Sequence, residues 1–86
     1  MNTNMTVARS EARRRYPLFD SDTKNRIMFA AGVEWVNACR VLLDTGDTIL
    51  AAAPAVADER YPAFYTSDNT PFIEGVKYAL STEKKA

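Results

Sequence analysis

The stretch Lys24–Leu43, KNRIMFAAGVEWVNACRVLL, decides the fold of this 86-residue chain. It contains no proline, and it carries the single Trp and the single Cys of the sequence. At helical period its apolar residues form two neighbouring rows: Met28, Gly32, Trp35, Cys39 and Leu42, and beside them Phe29, Val33, Val36 and Leu43. This band is wider than the ~100° stripe of an ordinary surface helix. The sequence therefore predicts a long helix that the rest of the chain, or a partner, must cover.

A short helix is predicted before the long one. Thr6 can cap it, its Ala, Arg and Glu residues favour helix, and Pro17 stops it after Arg15. The acidic turn 20–22 then offers N-caps for the long helix. Gly46 is predicted to end the long helix in the left-handed C-cap conformation.

Two more helices are predicted after Gly46. The third is capped by Asp47 or Thr48 and contains Pro54, which would kink it or mark a fresh start. The fourth begins at the cap Asn69, with a proline at its first helical position, and ends near Ser81. The polar tail beyond it is expected to fray.

Two segments of the chain occur twice. Arg15–Phe19, RYPLF, recurs 45 positions later as Arg60–Phe64, RYPAF. Phe29–Trp35, FAAGVEW, recurs 43 positions later as Phe72–Tyr78, FIEGVKY. Each copy is typical of a short helix, a proline-bent elbow and a capped helix. The duplication is the most informative feature of the sequence.

The repeat predicts an all-α fold, a small bundle of about four helices with a pseudo-two-fold axis. We expect one helical domain over residues 1–86, with the first repeat at about 6–43, the second at about 47–81 and a tail at 82–86. Glycine inside a helix costs roughly 1 kcal/mol relative to alanine, so Gly32 and Gly75 need a reason. We expect that the two backbones approach each other there. The residues with predicted structural roles are Tyr16, Pro17, Phe29, Gly32, Tyr61, Pro62, Phe72 and Gly75. Leu18 and Phe19 are expected to tuck against the core.

The pattern A-x-x-R-Y-P-x-F at Ala12–Phe19, followed by F-x-x-G-V-E-W at Phe29–Trp35, resembles small helical proteins of unassigned function from tailed bacteriophages and prophages. The similarity covers most of Ala12–Val36 and Ala57–Leu80. It implies a helical fold and a phage origin. No catalytic residue comes with it.

Composition excludes several classes of function. The chain has no His and one Cys, which removes the usual general base, the common zinc sites and any internal disulfide framework. Cys39 is expected to be a small buried hydrophobe. The acidic turns at 20–22 and 44–47 lack the calcium-loop spacing, so capping explains them better. We therefore expect no enzyme, no cofactor and no metal. Without a membrane-length apolar run or a signal peptide, we expect the host cytoplasm.

The net charge of zero hides an asymmetry between the halves. Residues 1–43 carry seven basic and four acidic side chains, +3, and residues 44–86 carry four and seven, −3. Such a chain can pair its own halves or pair with a second copy. A neutral chain is a poor general nucleic-acid binder.

Two groups of residues are candidates for interaction. Arg13, Arg14 and Arg15, with Arg26 nearby, could meet a phosphate, although three successive helical arginines point about 100° apart and suit a solvated helix end. Trp35 and Tyr78 occupy equivalent repeat positions, where they could pack in the core or anchor an interface.

We expect a non-enzymatic phage accessory protein that binds and inhibits or redirects a host or phage protein, with a homodimer as one arrangement. The alternative is a nucleotide or nucleic-acid binder that acts through the arginine-rich first helix, which includes sequestration of a small signalling nucleotide. No membrane partner is expected.

Overall fold

A computed structural model of the chain describes residues 3–42 and 45–85, and for 83–85 the backbone alone. Within these residues there are four α-helices and no strand: α1 Met5–Arg15, α2 Thr23–Val41, α3 Gly46–Arg60 and α4 Thr70–Lys85. The predicted all-α bundle of two helix-elbow-helix units is confirmed. We name residues 16–22 the first elbow and residues 61–69 the second elbow.

The caps of α1 and α3 differ from the predicted ones. Asn4 caps α1 in place of Thr6, since its side chain accepts a hydrogen bond from the Thr6 amide at 2.8 Å. The Thr45 hydroxyl caps α3 and accepts from the Thr48 amide at 3.2 Å. Gly46 is therefore the first residue of α3, and its predicted role as the C-cap of α2 is wrong.

The long helix α2 ends at Val41, with Leu42 as its C-cap. Its predicted end at Leu43, and Asp44 after it, lie outside the described residues. At its start, Asp22 occupies the N-cap position, but its carboxylate accepts from the Leu18 amide and the Asn25 side chain rather than from the helix backbone. The acidic turn therefore orders the elbow as well as the helix start.

Helix α4 starts and ends differently from the prediction. The Asp68 carboxylate, rather than Asn69, accepts the Thr70 amide at 2.9 Å. The helix continues to Lys85, beyond the predicted end at Ser81. The three residues at 83–85 are good helix formers, which accounts for the extension. Pro54 lies inside α3 and does not interrupt it.

Small side chains let the outer helices approach the central ones. Helix α1 packs on α2 and α3 packs on α4, while α2 and α4 pack on each other. Ala8 and Ala12 are buried on α1, and Ala53 and Ala57, each 45 positions later, are buried on α3. The two units therefore use the same alanine face to close each helical pair.

Helices α2 and α4 touch backbone to backbone at the repeated glycines. A Cβ added to Gly32 would overlap the carbonyl oxygen of Phe72, and a Cβ added to Gly75 would overlap that of Phe29. Each glycine thus contacts the residue three positions before the other glycine, which is the reciprocity that a two-fold axis produces. The predicted reason for both glycines, close approach of a second backbone, is confirmed.

Both elbows lie at one end of the molecule. At one end of the molecule, Thr3, which precedes α1, contacts both central helices. Its amide donates to the Asn37 side chain of α2 at 2.9 Å, and its hydroxyl lies 3.1 Å from the Thr82 hydroxyl of α4. The C-terminal halves of α2 and α4 are therefore neighbours. At the opposite end, the Lys24 ammonium donates to the Tyr65 carbonyl in the second elbow at 2.7 Å. We name this second end, which carries both elbows, the elbow end.

Candidate functional site

The two elbows begin with the same backbone turn. Tyr16 has φ −127° and ψ 74°, and Tyr61 has φ −130° and ψ 70°. The tyrosine amides donate to the carbonyls of Ala12 and Ala57, and both hydrogen bonds measure 2.8 Å. The repeated proline follows each tyrosine and restricts it to extended conformations, which ends the helix at the same point in both units.

The arginine and the tyrosine of each repeated elbow motif pack on a buried phenylalanine; the tyrosine is half-buried and the arginine covers the ring from the solvent side. The Tyr16 ring lies 6.2 Å from the buried Phe29 ring, whose face also meets the Arg15 guanidinium at 5.0 Å. In the second unit Tyr61 lies 5.9 Å from Phe72, with Arg60 at 5.8 Å. Burial raises the pKa of both tyrosine hydroxyls. Packing accounts for the arginine and the tyrosine of the motif.

Arg26 holds the first elbow through its backbone. Its guanidinium donates to the carbonyls of Tyr16 at 2.7 Å, Leu18 at 3.0 Å and Phe19 at 2.8 Å. Asn69 stands 43 positions later and donates to the Tyr61 carbonyl at 3.3 Å. Arg26 is one of the arginines predicted to be able to meet a phosphate, but its guanidinium donates to carbonyls of the first elbow.

The last residue of the repeated motif projects into solvent in both units. Phe19 is 83% exposed and Phe64 is 93% exposed, and Leu18 is 61% exposed. The expectation that Leu18 and Phe19 tuck against the core is wrong. Tyr16 already covers the core ring, and the carbonyls of Leu18 and Phe19 turn inward to Arg26, which leaves their side chains outside. The recurrence of this phenylalanine in both copies of the motif is the sequence feature that could have identified the exposed pair.

Charged side chains of both signs lie at the elbow end. Asp20, Asp22 and Asp68 belong to the two elbows, while the Lys24 ammonium and the Arg26 guanidinium donate to elbow carbonyls. The Lys24 ammonium is held at the Tyr65 carbonyl and lies 4.6 Å from the centre of the Tyr65 ring. Hydrogen bonds from the Thr70 hydroxyl and amide lower the pKa of Asp68, so this carboxylate stays charged.

The structure divides the predicted arginine cluster. Arg14 and Arg15 donate to the Glu11 carboxylate at distances between 2.6 and 2.9 Å. The hydrogen bonds from Arg14 and then Arg15 lower the pKa of Glu11 to about 2. Arg13 points elsewhere: together with Arg9 and Arg26 it lines a shallow groove of about 220 Å³ between α1 and α2.

Trp35 and Tyr78 cross the interface between the two units. The Trp35 ring lies 5.7 Å from Phe72, and the Tyr78 ring lies 5.6 Å from Phe29. Both side chains are half-buried against the core. Each ring therefore covers the core phenylalanine of the opposite unit, and only its outer part is available to a partner.

We also examined the cysteine, the possible metal ligands and the possible membrane-spanning helices. Cys39 is buried. No group of three or more Cys, Asp or Glu side chains in the described part of the chain is placed to hold a metal ion. None of the helices within residues 3–42 and 45–85 is long and apolar enough to cross a bilayer.

Comparison with known proteins adds no relative: no family model, curated protein or solved structure matches this chain. The candidate site therefore rests on the geometry of the elbow end and its two exposed phenylalanines.

Proposed function

We propose that this chain is a non-enzymatic, phage-encoded accessory protein that binds a host or phage protein in the host cytoplasm and inhibits or redirects it by covering part of its surface. The observation that carries the proposal is the pair of phenylalanines at the elbow end, 83% and 93% exposed and repeated in the same motif. Aromatic side chains of this kind act as interface anchors.

These side chains can contribute part of the binding free energy, which must also offset the cost of association. Full burial of one phenylalanine contributes about 1.5–3 kcal/mol from its apolar area. Leu18 lies beside Phe19 in the chain and adds a third exposed apolar side chain. A partner that covers the elbow end would bury this exposed apolar area on binding.

The test is a quantitative pull-down from lysate of the native host with the parent chain and two double variants. Phe19→Ala with Phe64→Ala is expected to lower retention of the captured protein at least tenfold. The matched control is Val41→Ala with Leu42→Ala, because these residues are 74% and 75% exposed at the far end of α2. Equal retention by both double variants would contradict the proposal.

A second copy of the chain is the simplest partner to examine first. The opposite charges of the two halves of the chain, +3 and −3, favour a homodimer as one arrangement. Size-exclusion chromatography with light scattering, at low and high salt, measures this directly. A dimer that dissociates as salt rises is the expected form, since exposed charges are screened.

One observation favours the alternative of a phosphate-bearing ligand, a nucleotide or nucleic acid. Arg9 and Arg13 are one helical turn apart on α1 and line the same groove, with Ile27 and Ala30 beside them. An arginine pair over an apolar floor suits a phosphate next to a base.

This alternative is tested with a fluorescent nucleotide and a single-stranded DNA shift assay. Arg9→Glu with Arg13→Glu is expected to abolish binding, whereas Arg14→Glu, whose arginine already pairs with Glu11, is the matched control. If the parent chain binds neither probe, the alternative is rejected.

A further inference from the structure

We propose that this chain associates head to tail with further copies of itself, with the groove between α1 and α2 of one copy receiving the C-terminal turn of α3 of the next. We name the groove that Arg9 and Arg13 line the arginine groove, and the pair Asp58 and Glu59 the acidic end of α3. The inference rests on the proposed self-association and specifies its contact. It uses surfaces other than the exposed phenylalanines, so it is independent of the capture of a different protein.

The arginine groove contains cations that have no acidic partner. Arg9 and Arg13 lie one helical turn apart on α1, and both are exposed. Neither makes a hydrogen bond or an ion pair within residues 3–42 and 45–85, and none of the described residues that line the groove is acidic. Its floor is apolar and includes Ile27, which is 50% exposed. An occupant of this groove should therefore carry an anion beside an apolar surface.

The second unit has an anion at the equivalent place. Arg13 and Arg26 of the first unit correspond to Asp58 and Asn69, 45 and 43 positions later. There the Asn69 amide donates to the Asp58 carboxylate at 2.9 Å. Two guanidinium groups have only donors, so they cannot form such a hydrogen bond with each other. A carboxylate from outside would supply the acceptor that the first unit lacks.

The two units carry opposite charges at equivalent exposed positions. The pair Arg13-Arg14 at the end of α1 is replaced by Asp58-Glu59 at the end of α3, and all four side chains are exposed. The next two residues, the arginine and tyrosine that pack on a core ring, are the same in both units, so the reversal is confined to the surface. A second copy therefore offers the charge that complements the arginine groove.

The surface next to the acidic end of α3 suits the floor of the groove. Ala51, Pro54, Ala55 and Asp58 follow one another at helical period, and all four are exposed. They form a narrow apolar ridge that ends in a carboxylate, and the groove of about 220 Å³ combines an apolar floor with arginines. Exposed ion pairs contribute little by themselves, so burial of the ridge adds to the contact. We expect an association that is weak and sensitive to salt.

The contact continues from copy to copy instead of closing on itself. The pseudo-two-fold axis runs between α2 and α4, and it therefore places α1 and α3 on opposite sides of the molecule. A copy that offers its acidic end to one neighbour keeps its arginine groove for another. Contacts of this heterologous kind form rings or open chains. A dimer is the first step, and larger species should follow as the protein concentration rises.

The experiment is sedimentation velocity of the full chain over a range of concentrations, at low and high salt. Two variants each neutralise one side of the contact: Arg9→Gln with Arg13→Gln, and Asp58→Asn with Glu59→Gln. Each variant alone should associate roughly tenfold more weakly than the parent. An equimolar mixture of the two should form a one-to-one heterodimer and nothing larger, because one intact groove and one intact acidic end remain.

The matched control removes two positive charges elsewhere. Arg14→Gln with Lys77→Gln changes the net charge as much as the groove variant does, but these side chains pair with Glu11 and Glu74 of their own chain. This control should associate as the parent does. Circular dichroism should show the same helical content in all variants, because every substituted side chain is exposed.

Each other outcome overturns the proposal. A parent that stays monomeric, a parent that stops at a dimer at every concentration, or a mixture that fails to associate contradicts the head-to-tail contact. An equal loss in the control variant would assign the association to net charge alone. A monomeric parent that binds a nucleotide through the same arginines would assign the groove to a phosphate ligand. None of these results bears on Phe19 and Phe64, whose variants test protein capture separately.

Discussion

The two helix-elbow-helix units agree in their interior and differ in how their elbows are held. In both, a buried phenylalanine lies between a tyrosine, an arginine and the aromatic side chain of the opposite unit. The elbows differ: Arg26 donates to three backbone carbonyls in the first, whereas the equivalent Asn69 donates to one carbonyl and to Asp58 in the second.

This difference teaches which constraints are rigid. A glycine whose Cα touches another backbone cannot be replaced by a residue with a side chain, and a close-packed aromatic residue can be replaced by few others. A carbonyl at a partly exposed turn accepts any donor that reaches it, including water. The repeats therefore retain the crossing and its rings, while the donors at the elbows change freely.

The largest expected effect tests whether the two interiors are equivalent. Phe29→Ala and Phe72→Ala each remove a fully buried ring and should each lower the free energy of unfolding by about 3–5 kcal/mol. For a domain of this size that is a large share of a stability of roughly 5–10 kcal/mol. Urea unfolding followed by circular dichroism measures both. Values that differ by more than about 2 kcal/mol would break the symmetry.

The crossing itself is tested by Gly32→Ala and Gly75→Ala. Each new methyl group overlaps a backbone carbonyl, so α2 and α4 must separate, and we expect a loss of about 2–3 kcal/mol despite the better helix propensity of alanine. The matched control is Gly46→Ala. Its Cβ would meet only side-chain atoms of Arg40 and Leu80, at 3.6 and 3.7 Å. Thermal unfolding should show the control unchanged or slightly stabilised; a similar loss in all three would contradict the crossing.

The elbows are compared by Arg26→Ala and Asn69→Ala. Loss of three hydrogen bonds to backbone carbonyls should cost about 1–2 kcal/mol, and loss of the asparagine about 0.5–1 kcal/mol. Amide hydrogen exchange should show faster opening of the first elbow in the arginine variant. An equal or larger effect of the asparagine variant would reverse the assignment.

The smallest expected effect on stability comes from the ion pairs of Glu11, which are present only in the first unit. Glu11 pairs with Arg14 and Arg15, and Val56 occupies the equivalent place on α3. Because the pKa of Glu11 falls from 4.5 to about 2 on folding, its stabilisation is complete above about pH 4.5 and is lost as the pH falls toward 2.

Solvent screening keeps this contribution below about 1 kcal/mol, since the carboxylate pairs with exposed arginines. Melting temperatures of the parent and of Glu11→Gln, recorded from pH 7 to pH 2, should differ at neutral pH and converge in acid. A constant difference across this range would show that the ion pair is not its source.

Sequence reasoning recovered the parts of the fold that depend on periodicity and repetition. Four helices, the proline elbows and the reason for Gly32 and Gly75 follow from the spacing of apolar residues and from the duplication. The helix ends were less accurate because Asn4, Thr45 and Asp68 compete with neighbouring polar residues of similar capping strength. At Asn69 the competition is decided by hydrogen bonds from its side chain to Asp58 and to the Tyr61 carbonyl, which the sequence does not display.

The candidate site was harder to predict for a related reason. Apolar type favoured burial of Phe19, yet Tyr16 covers the core ring and Arg26 turns the elbow carbonyls inward. Arg13, Arg14 and Arg15 are adjacent in sequence, but Glu11 takes two of them. In both cases, competition between neighbours for one partner decides which side chain stays outside.

The reciprocal glycine contact has a consequence for the origin of the chain. Each unit carries both surfaces of the crossing, so a single unit would be self-complementary, as a symmetric dimer of half-length chains requires. Joining the two through the short connection between α2 and α3 makes the association intramolecular and independent of protein concentration. It also frees each half to mutate alone, so that the two sides can diverge while the contact between them persists.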